Sequence, residues 1–157
     1  MDEQGRLKTR KLDEKEASER LDDYARLLTL KANTLRLKGD FNSADSAFVR
    51  SEAWIADNMP KKKLAYVNNQ FLHGKLLVEN GIDVDNMPRE VQFDNTLAKL
   101  RRDYQESHYL AFDLYETLLK QYLYKNQKAR YRGASIEYEK AIKRNFSRSS
   151  LHYLNLE

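Results

Sequence analysis

The sequence predicts an all-α fold, a bundle of about five helices in which one long coiled-coil-like helix covers about residues 89–126. Apolar residues recur at spacings of three and four through most of the chain, and this spacing marks one face of a helix. There are only five Gly and two Pro, too few for a fold built on many tight turns. Hydrophobic residues make up 41% of the chain, which supplies a core and is atypical of disorder.

The predicted domain organisation is a single helical domain at 13–146, between a flexible N-terminal segment, 1–12, and a C-terminal tail, 147–157. The N-terminal segment is polar with mixed charge, and the tail has no clear apolar period. Neither a signal peptide nor a membrane span is predicted, because the first 20 residues are highly charged and all apolar runs are short. We therefore expect an intracellular, cytoplasmic protein that does not enter a membrane.

The first two helices are predicted to form a hairpin around Gly39, since glycine tolerates the left-handed conformation that ends many helices. The first helix begins near Asp13, and its apolar stripe consists of Leu21, Tyr24, Leu28, Ala32 and Leu35. Asn42 or Ser43 caps the second helix, which ends near Asn58. Its predicted buried face consists of Phe41, Ala44, Ala47, Phe48, Trp54 and Ile55.

This hairpin has a local resemblance to a known repeat family. The stretch Gly39-Asp40-Phe41-x-x-Ala44-x-x-x-Phe48-x-x-Ser51 resembles the turn and second helix of a tetratricopeptide hairpin. The resemblance covers about a dozen residues and lacks the family's 34-residue repeat. It therefore implies two closely packed helices with small residues between them, and not membership of the family.

Two sequences ending in proline are predicted to start further helices. Asp57-Asn58-Met59-Pro60 and Asp85-Asn86-Met87-Pro88 each combine a polar cap with a proline, which is favoured in the first turn of a helix. The third helix is expected to start near Pro60 and to end at Asn80-Gly81. Its buried residues are predicted to be Leu64, Val67, Phe71 and Leu76 or Leu77.

The long helix is predicted because no Gly or Pro interrupts residues 89–132. Between Tyr104 and Ala111 the apolar stripe passes over Ser107 and His108. A seam of this length is typical of helices that associate with a second copy, so a homo-oligomer is expected. The seam consists of Phe93, Leu97, Leu100, Tyr104, Ala111, Tyr115, Leu118 and Tyr122. A last helix over about 133–145 is expected to bury Ala134, Tyr138, Ala141 and Ile142.

No pattern of catalytic, cofactor-binding or metal-binding residues is found. The chain has no cysteine, so thiolate ligands and cysteine nucleophiles are excluded. His73, His108 and His152 are far apart and have no helical metal-ligand spacing, and each is expected at the surface or half-buried. A glycine-rich phosphate loop is also missing. We expect a protein that is not an enzyme and has no small-molecule substrate.

Positive charge concentrates in the last third of the chain. The net charge is +4, and residues 99–157 hold 12 basic and seven acidic residues, net +5. In segment 120–148 tyrosines alternate with these cations, a combination that binds phosphates and stacks on bases. The competing interpretation is a solvated helix surface whose tyrosines belong to the core. The candidate contact residues are Lys125, Lys128, Arg130, Tyr131, Arg132, Lys140, Lys143 and Arg144.

Two functions are therefore expected from the sequence. The first is a non-catalytic helical protein-interaction module, such as an adaptor, scaffold or assembly subunit, that associates with itself or with another protein. The alternative is an accessory protein that binds DNA or RNA through segment 120–148. An acidic protein is a further candidate partner for the same basic segment.

Overall fold

The computed structural model describes residues 3–59, 64–103 and 109–146, with side chains from residue 13 onward. The described residues are mostly helical and contain no strand, which confirms the all-α prediction. None of the helices in these ranges is both long and apolar enough to cross a bilayer. The α-helices are α1 (Glu3–Leu37), α2 (Phe41–Asn58), α3 (Leu64–Glu79), α4 (Phe93–Asp103), α5 (Tyr109–Tyr124) and α6 (Lys128–Asn145).

The chain divides into two compact units. The N-terminal unit, Met1–Leu76, contains α1, α2 and most of α3, and the C-terminal unit, Leu77–Glu157, contains α4, α5 and α6. The boundary falls inside α3. A single domain over 13–146 stays a prediction, and the predicted tail, 147–157, lies outside the described residues.

The helical hairpin at Gly39 is confirmed. Gly39 has a φ of +77°, the left-handed conformation predicted from its position after Lys38. The cap of α2 differs from the prediction, because α2 starts at Phe41 and its cap is Asp40, whose Oδ1 accepts a hydrogen bond from the Ser43 amide at 3.3 Å. Helix α1 also begins earlier than predicted, at Glu3 and not near Asp13.

The face of α1 that packs against α2 carries small side chains. Ala25, Thr29 and Ala32 are buried there, whereas Leu21 and Tyr24 of the predicted stripe are exposed. Small residues allow two helix backbones to approach closely. Leu27, Leu30 and Leu37 are exposed, whereas Leu35 packs against the core cluster that contains Ala32. Of the predicted stripe, Ala32 is buried and Leu28 and Leu35 are half-buried.

Helix α3 joins α1 and α2 through buried polar side chains as well as apolar ones. The Asn69 side chain accepts a hydrogen bond from Thr29 Oγ1 of α1 at 3.1 Å and donates one to the Phe48 carbonyl of α2 at 3.2 Å. Tyr66 and Gln70 both donate to Glu52 of α2. These buried groups are thus satisfied by partners on neighbouring helices, which removes the cost of taking them out of water.

The connections before and after α3 agree only in part with those predicted from the sequence. Gly81 has a φ of +81° just after α3, so the predicted stop at Asn80-Gly81 is confirmed. The predicted helix start at Pro60 lies outside the described residues. After Pro88 there is only a 3₁₀ turn, Arg89–Val91, which follows a similar turn at Val84–Asn86, and α4 begins at Phe93.

The single long helix predicted over about 89–126 is corrected by the structure. Helices α4 and α5 pack against each other, which two successive stretches of one straight helix cannot do. Tyr104 and the other residues of 104–108 lie outside the described residues. The predicted seam is nonetheless an inner face, because these members are buried: Phe93, Leu97, Leu100, Ala111, Tyr115 and Leu118. Since α4, α5 and α6 cover this face, it no longer argues for association with a second copy.

The turn between α5 and α6 also lies earlier than predicted. Asn126 adopts a φ of +54° between the two helices, and α6 begins at Lys128, so Gly133 lies inside a helix. The predicted inner residues Ala141 and Ile142 are buried. Tyr138 stacks on Tyr115 of α5 with ring centroids 5.4 Å apart, which fixes α6 against α5.

Candidate interaction surfaces

The N-terminal unit contains an apolar groove. It lies between α1 and α3 and has a volume of about 550 Å³. Leu27 and Leu30 of α1 and Leu72 of α3 supply its apolar wall, and the charged Asp23 and Arg26 lie along its α1 side. An apolar floor beside polar and charged side chains is typical of grooves that bind an amphipathic helix.

The two leucines of α1 in this groove are unusually accessible. Leu27 is 61% exposed and Leu30 is 60% exposed. They are three residues apart and therefore lie on the same side of the helix. Single exposed leucines are common on protein surfaces, but neighbouring ones in a groove mark a surface suited to a partner.

The position of the groove follows from the packing of α1. Since consecutive residues of a helix are separated by about 100°, Leu27 and Leu30 lie away from the side that carries Ala25 and Ala32. Thr29 has a role on both sides: it lines the groove, and its hydroxyl donates to Asn69. The groove is therefore fixed by the same residues that hold α1 to α3.

The groove was not predicted from the sequence. Helix α1 contains more apolar residues than one stripe can hold, since Leu27, Leu30 and Leu37 were not assigned to the predicted buried face. These additional apolar residues indicate a second apolar side of α1, because a helix that is apolar on two sides packs against two different elements.

The basic segment 120–148 divides into paired and accessible cations. Lys125 is half-buried and forms ion pairs with Asp83 and with Asp85, 2.8 Å from Asp85 Oδ2. These hydrogen bonds raise the pKa of Lys125, and its ammonium group lowers the pKa of Asp83. Lys125 therefore holds the turn at Val84–Asn86 against the end of α5, and its charge is already compensated.

Two further candidate cations have acidic partners on α6 itself. Lys140 Nζ lies 3.2 Å from Glu137 Oε1, and Lys143 pairs with Glu139 one helical turn away. Glu137 also lies 3.5 Å from Arg101 of α4, and its pKa is lowered chiefly by the hydrogen bond from Lys140. These pairs reduce the positive potential toward the C-terminal end of α6, where Arg144 is exposed.

The first turns of α6 carry three further candidate cations, and all three are exposed. Lys128, Arg130 and Arg132 are exposed, and the described ranges contain no acidic residue within ion-pair distance of them. Tyr131 is also exposed, and Tyr124 at the end of α5 is 89% exposed. Lys128, Tyr131 and Arg132 share one side of α6, at positions i, i+3 and i+4. The start of α6 therefore combines exposed cations that have no acidic partner in the described ranges with an exposed tyrosine.

Other tyrosines of this segment belong to the interior. Tyr138 donates a hydrogen bond to Glu116 at 2.8 Å, and burial together with this contact raises its pKa. Tyr122 is half-buried, and desolvation raises its pKa as well. Both were expected on the apolar faces of their helices, and both are half-buried and less exposed than Tyr124 and Tyr131.

His73 is the one predicted surface histidine that falls in the described ranges, and the structure corrects its placement. It is 6% exposed, its Nε2 lies 2.8 Å from Asp45 Oδ1, and its ring stacks on Phe48. It thus links α3 to α2. Within residues 13–59, 64–103 and 109–146, no group of three or more His, Asp or Glu side chains is placed to hold a metal ion.

Comparison with known proteins adds no assignment: the chain matches no protein-family model, no curated protein and no solved structure.

Proposed function

We propose that the protein is a non-catalytic helical interaction module whose N-terminal unit binds an amphipathic helix of a protein partner. The observation that carries this proposal is the pair of exposed leucines, Leu27 and Leu30, in the groove between α1 and α3. Because Leu27 is 61% exposed and Leu30 is 60% exposed, burying the rest of each side chain would contribute roughly 1–2 kcal/mol to association. An adaptor, a scaffold and an assembly subunit all require a surface of this kind.

A photo-crosslinking amino acid placed at Leu27 tests the proposal in the cells that make the protein. We expect it to form an adduct with a defined protein, because a bound helix would lie directly against this position. The same amino acid at Val49, which is 51% exposed on α2 outside the groove, is the matched control and should form no such adduct. The adduct at position 27 should disappear when Leu30→Asp is added, since a carboxylate in the groove opposes apolar burial.

Equal labelling at positions 27 and 49 would contradict the proposal, because it would indicate random encounter. Mass spectrometry of the adduct identifies the protein captured. An adduct that survives Leu30→Asp would place the contact outside the groove.

A second candidate function is binding of DNA or RNA through the start of α6. The observation that favours it is the accessible group formed by Lys128, Tyr131 and Arg132, with Tyr124 nearby in sequence at the end of α5. Cations of this kind neutralise phosphates, and exposed tyrosines stack on unpaired bases.

Titration of a labelled single-stranded oligonucleotide at two salt concentrations tests this second function. Affinity should fall as salt rises, and replacing Lys128, Arg130 and Arg132 with Ala should flatten the log–log slope by roughly 0.7 per lost phosphate contact. Arg50→Ala on α2 removes an exposed cation of the other unit and should leave the slope unchanged. If the wild-type protein retards no DNA or RNA at about 50 mM salt, this function is excluded.

A further inference from the structure

We propose that the partner of the groove is a second copy of this chain, and that two α1 helices pair antiparallel through Leu27 and Leu30. This inference rests on the proposed interaction function and specifies its partner. It places self-association on α1, whereas the sequence analysis expected it on the helix at 89–126.

The first support is the composition of the exposed side of α1. Positions 23, 27, 30, 34 and 37 follow one another at spacings of three and four, so they form one side of the helix. Leu27, Leu30 and Leu37 on this side are exposed, and Leu37 is 71% exposed. The side is apolar at its centre, and two copies of it would bury leucine against leucine in the manner of a coiled coil.

The second support is the charge of α1 on either side of this centre. Residues 13–23 hold six acidic and two basic residues, net −4. Residues 24–38 hold four basic residues and no acidic ones, net +4. With Leu27 opposite Leu30, an antiparallel pair places Glu19, Asp22 and Asp23 beside positions 34–38 of the other copy, which carry Arg36 and Lys38. Arg26 then lies opposite Lys31, whereas a parallel pair brings like charges together along the whole helix. The charges at the ends of the overlap therefore complement those of a second copy, and they favour the antiparallel direction over the parallel one.

The register follows from the leucines. When Leu27 lies opposite Leu30 of the second copy, two-fold symmetry places Leu30 opposite Leu27. The same alignment puts Asp23 opposite Thr34 of the second copy. Lys31 and Lys38 are the residues three before and four after Thr34, so they lie on either side of it along the helix. Asp23 thus comes between two cations, and the contact occurs twice in the pair.

Sedimentation equilibrium of the full chain at low ionic strength tests the pairing. We expect the wild-type protein to sediment with twice the 18.6 kDa chain mass at micromolar concentration. Leu27→Asp combined with Leu30→Asp should give a monomer, and Val49→Asp should remain dimeric. Circular dichroism of each variant shows whether its helices are retained. A Leu27→Asp, Leu30→Asp variant that stays dimeric with native helicity overturns the proposal.

Charge exchange tests the antiparallel direction. Asp23→Lys should weaken the dimer about tenfold, because it turns two attractive sites into repulsive ones. Adding Lys31→Asp and Lys38→Asp to that variant should restore the dimer, since the opposite charges then face each other again. In a parallel pair Asp23 would face its own copy, so Asp23→Lys would exchange one like-charge contact for another and the triple variant would restore nothing.

The outcomes separate this inference from the proposed function. A wild-type chain that is monomeric at about 100 μM overturns the second copy as partner. If position 27 then crosslinks to a different protein, the interaction module stands and only its partner changes. If the chain is monomeric and position 27 gives no specific adduct, both are overturned.

Discussion

Phe48→Ala is expected to lower the free energy of unfolding by about 3–5 kcal/mol, among the largest effects of any single change in the N-terminal unit. Phe48 is fully buried and packs with Ala32 of α1 and Leu76 of α3, so its ring joins all three helices. Its loss would leave a cavity between elements that other contacts hold at a fixed distance. The ring also stacks on His73, with centroids 5.4 Å apart.

Urea denaturation monitored by circular dichroism measures this decrease in the free energy of unfolding. Val49→Ala is the matched control, because Val49 is the neighbouring residue on α2 and is exposed; its effect should stay within about 0.5 kcal/mol. All samples need the same protein concentration, since self-association would add to apparent stability. A loss below about 1 kcal/mol for Phe48→Ala would contradict the described core.

Leu100→Ala is expected to destabilise the C-terminal unit by about 2–5 kcal/mol. Leu100 is fully buried on α4, which packs against α5. Leu123→Ala makes the same chemical change on α5 at a side chain that is 68% exposed, and it should cost little. Comparing the two variants by urea denaturation separates burial from the loss of leucine itself.

An equal effect of the two changes would show that the inner face of α4 and α5 is misassigned.

The unfolding transition should also be followed with two spectroscopic probes, because a chain of two compact units can unfold in two steps. A step that shifts with Leu100→Ala and not with Phe48→Ala would identify the C-terminal unit.

The sequence predicted the local features of the fold because they depend on local chemistry. Gly39 ends α1 since a left-handed residue is needed there, and Leu100, Ala111 and Leu118 are buried since their spacing defines one face. The division of the long helix was not predicted, because no Gly or Pro marks it. The only irregularity in the sequence is the seven-residue step from Tyr104 to Ala111, which keeps the helical period but has the polar Ser107 and His108 where an apolar residue would continue the stripe.

The candidate surfaces were predicted less well than the fold. The periodic stripe of α1 correctly included Ala32, but it also included Leu21 and Tyr24, which are exposed, and it left out Ala25, which is buried. Spacing alone does not show that the side of α1 facing α2 is the one with small side chains. In the basic segment, the pairing of Lys125 with acidic residues about 40 positions earlier depends on the fold. Lys128, Arg130 and Arg132 at the start of α6 are exposed, and their role as contact residues stays a prediction.

The hydrogen bonds of Asn69 have a consequence for how the N-terminal unit chooses among alternative packings. Apolar helices can slide past one another by a turn and still bury similar area. A slide of α3 by one turn, about 5.4 Å, would separate Asn69 from both the Thr29 hydroxyl and the Phe48 carbonyl. Each buried polar group left without a hydrogen-bond partner costs roughly 1–3 kcal/mol. The shifted arrangement is therefore less stable than the native one by the sum of these costs. The polar contacts thus favour one alignment of the three helices and lower the population of alignments shifted by a turn.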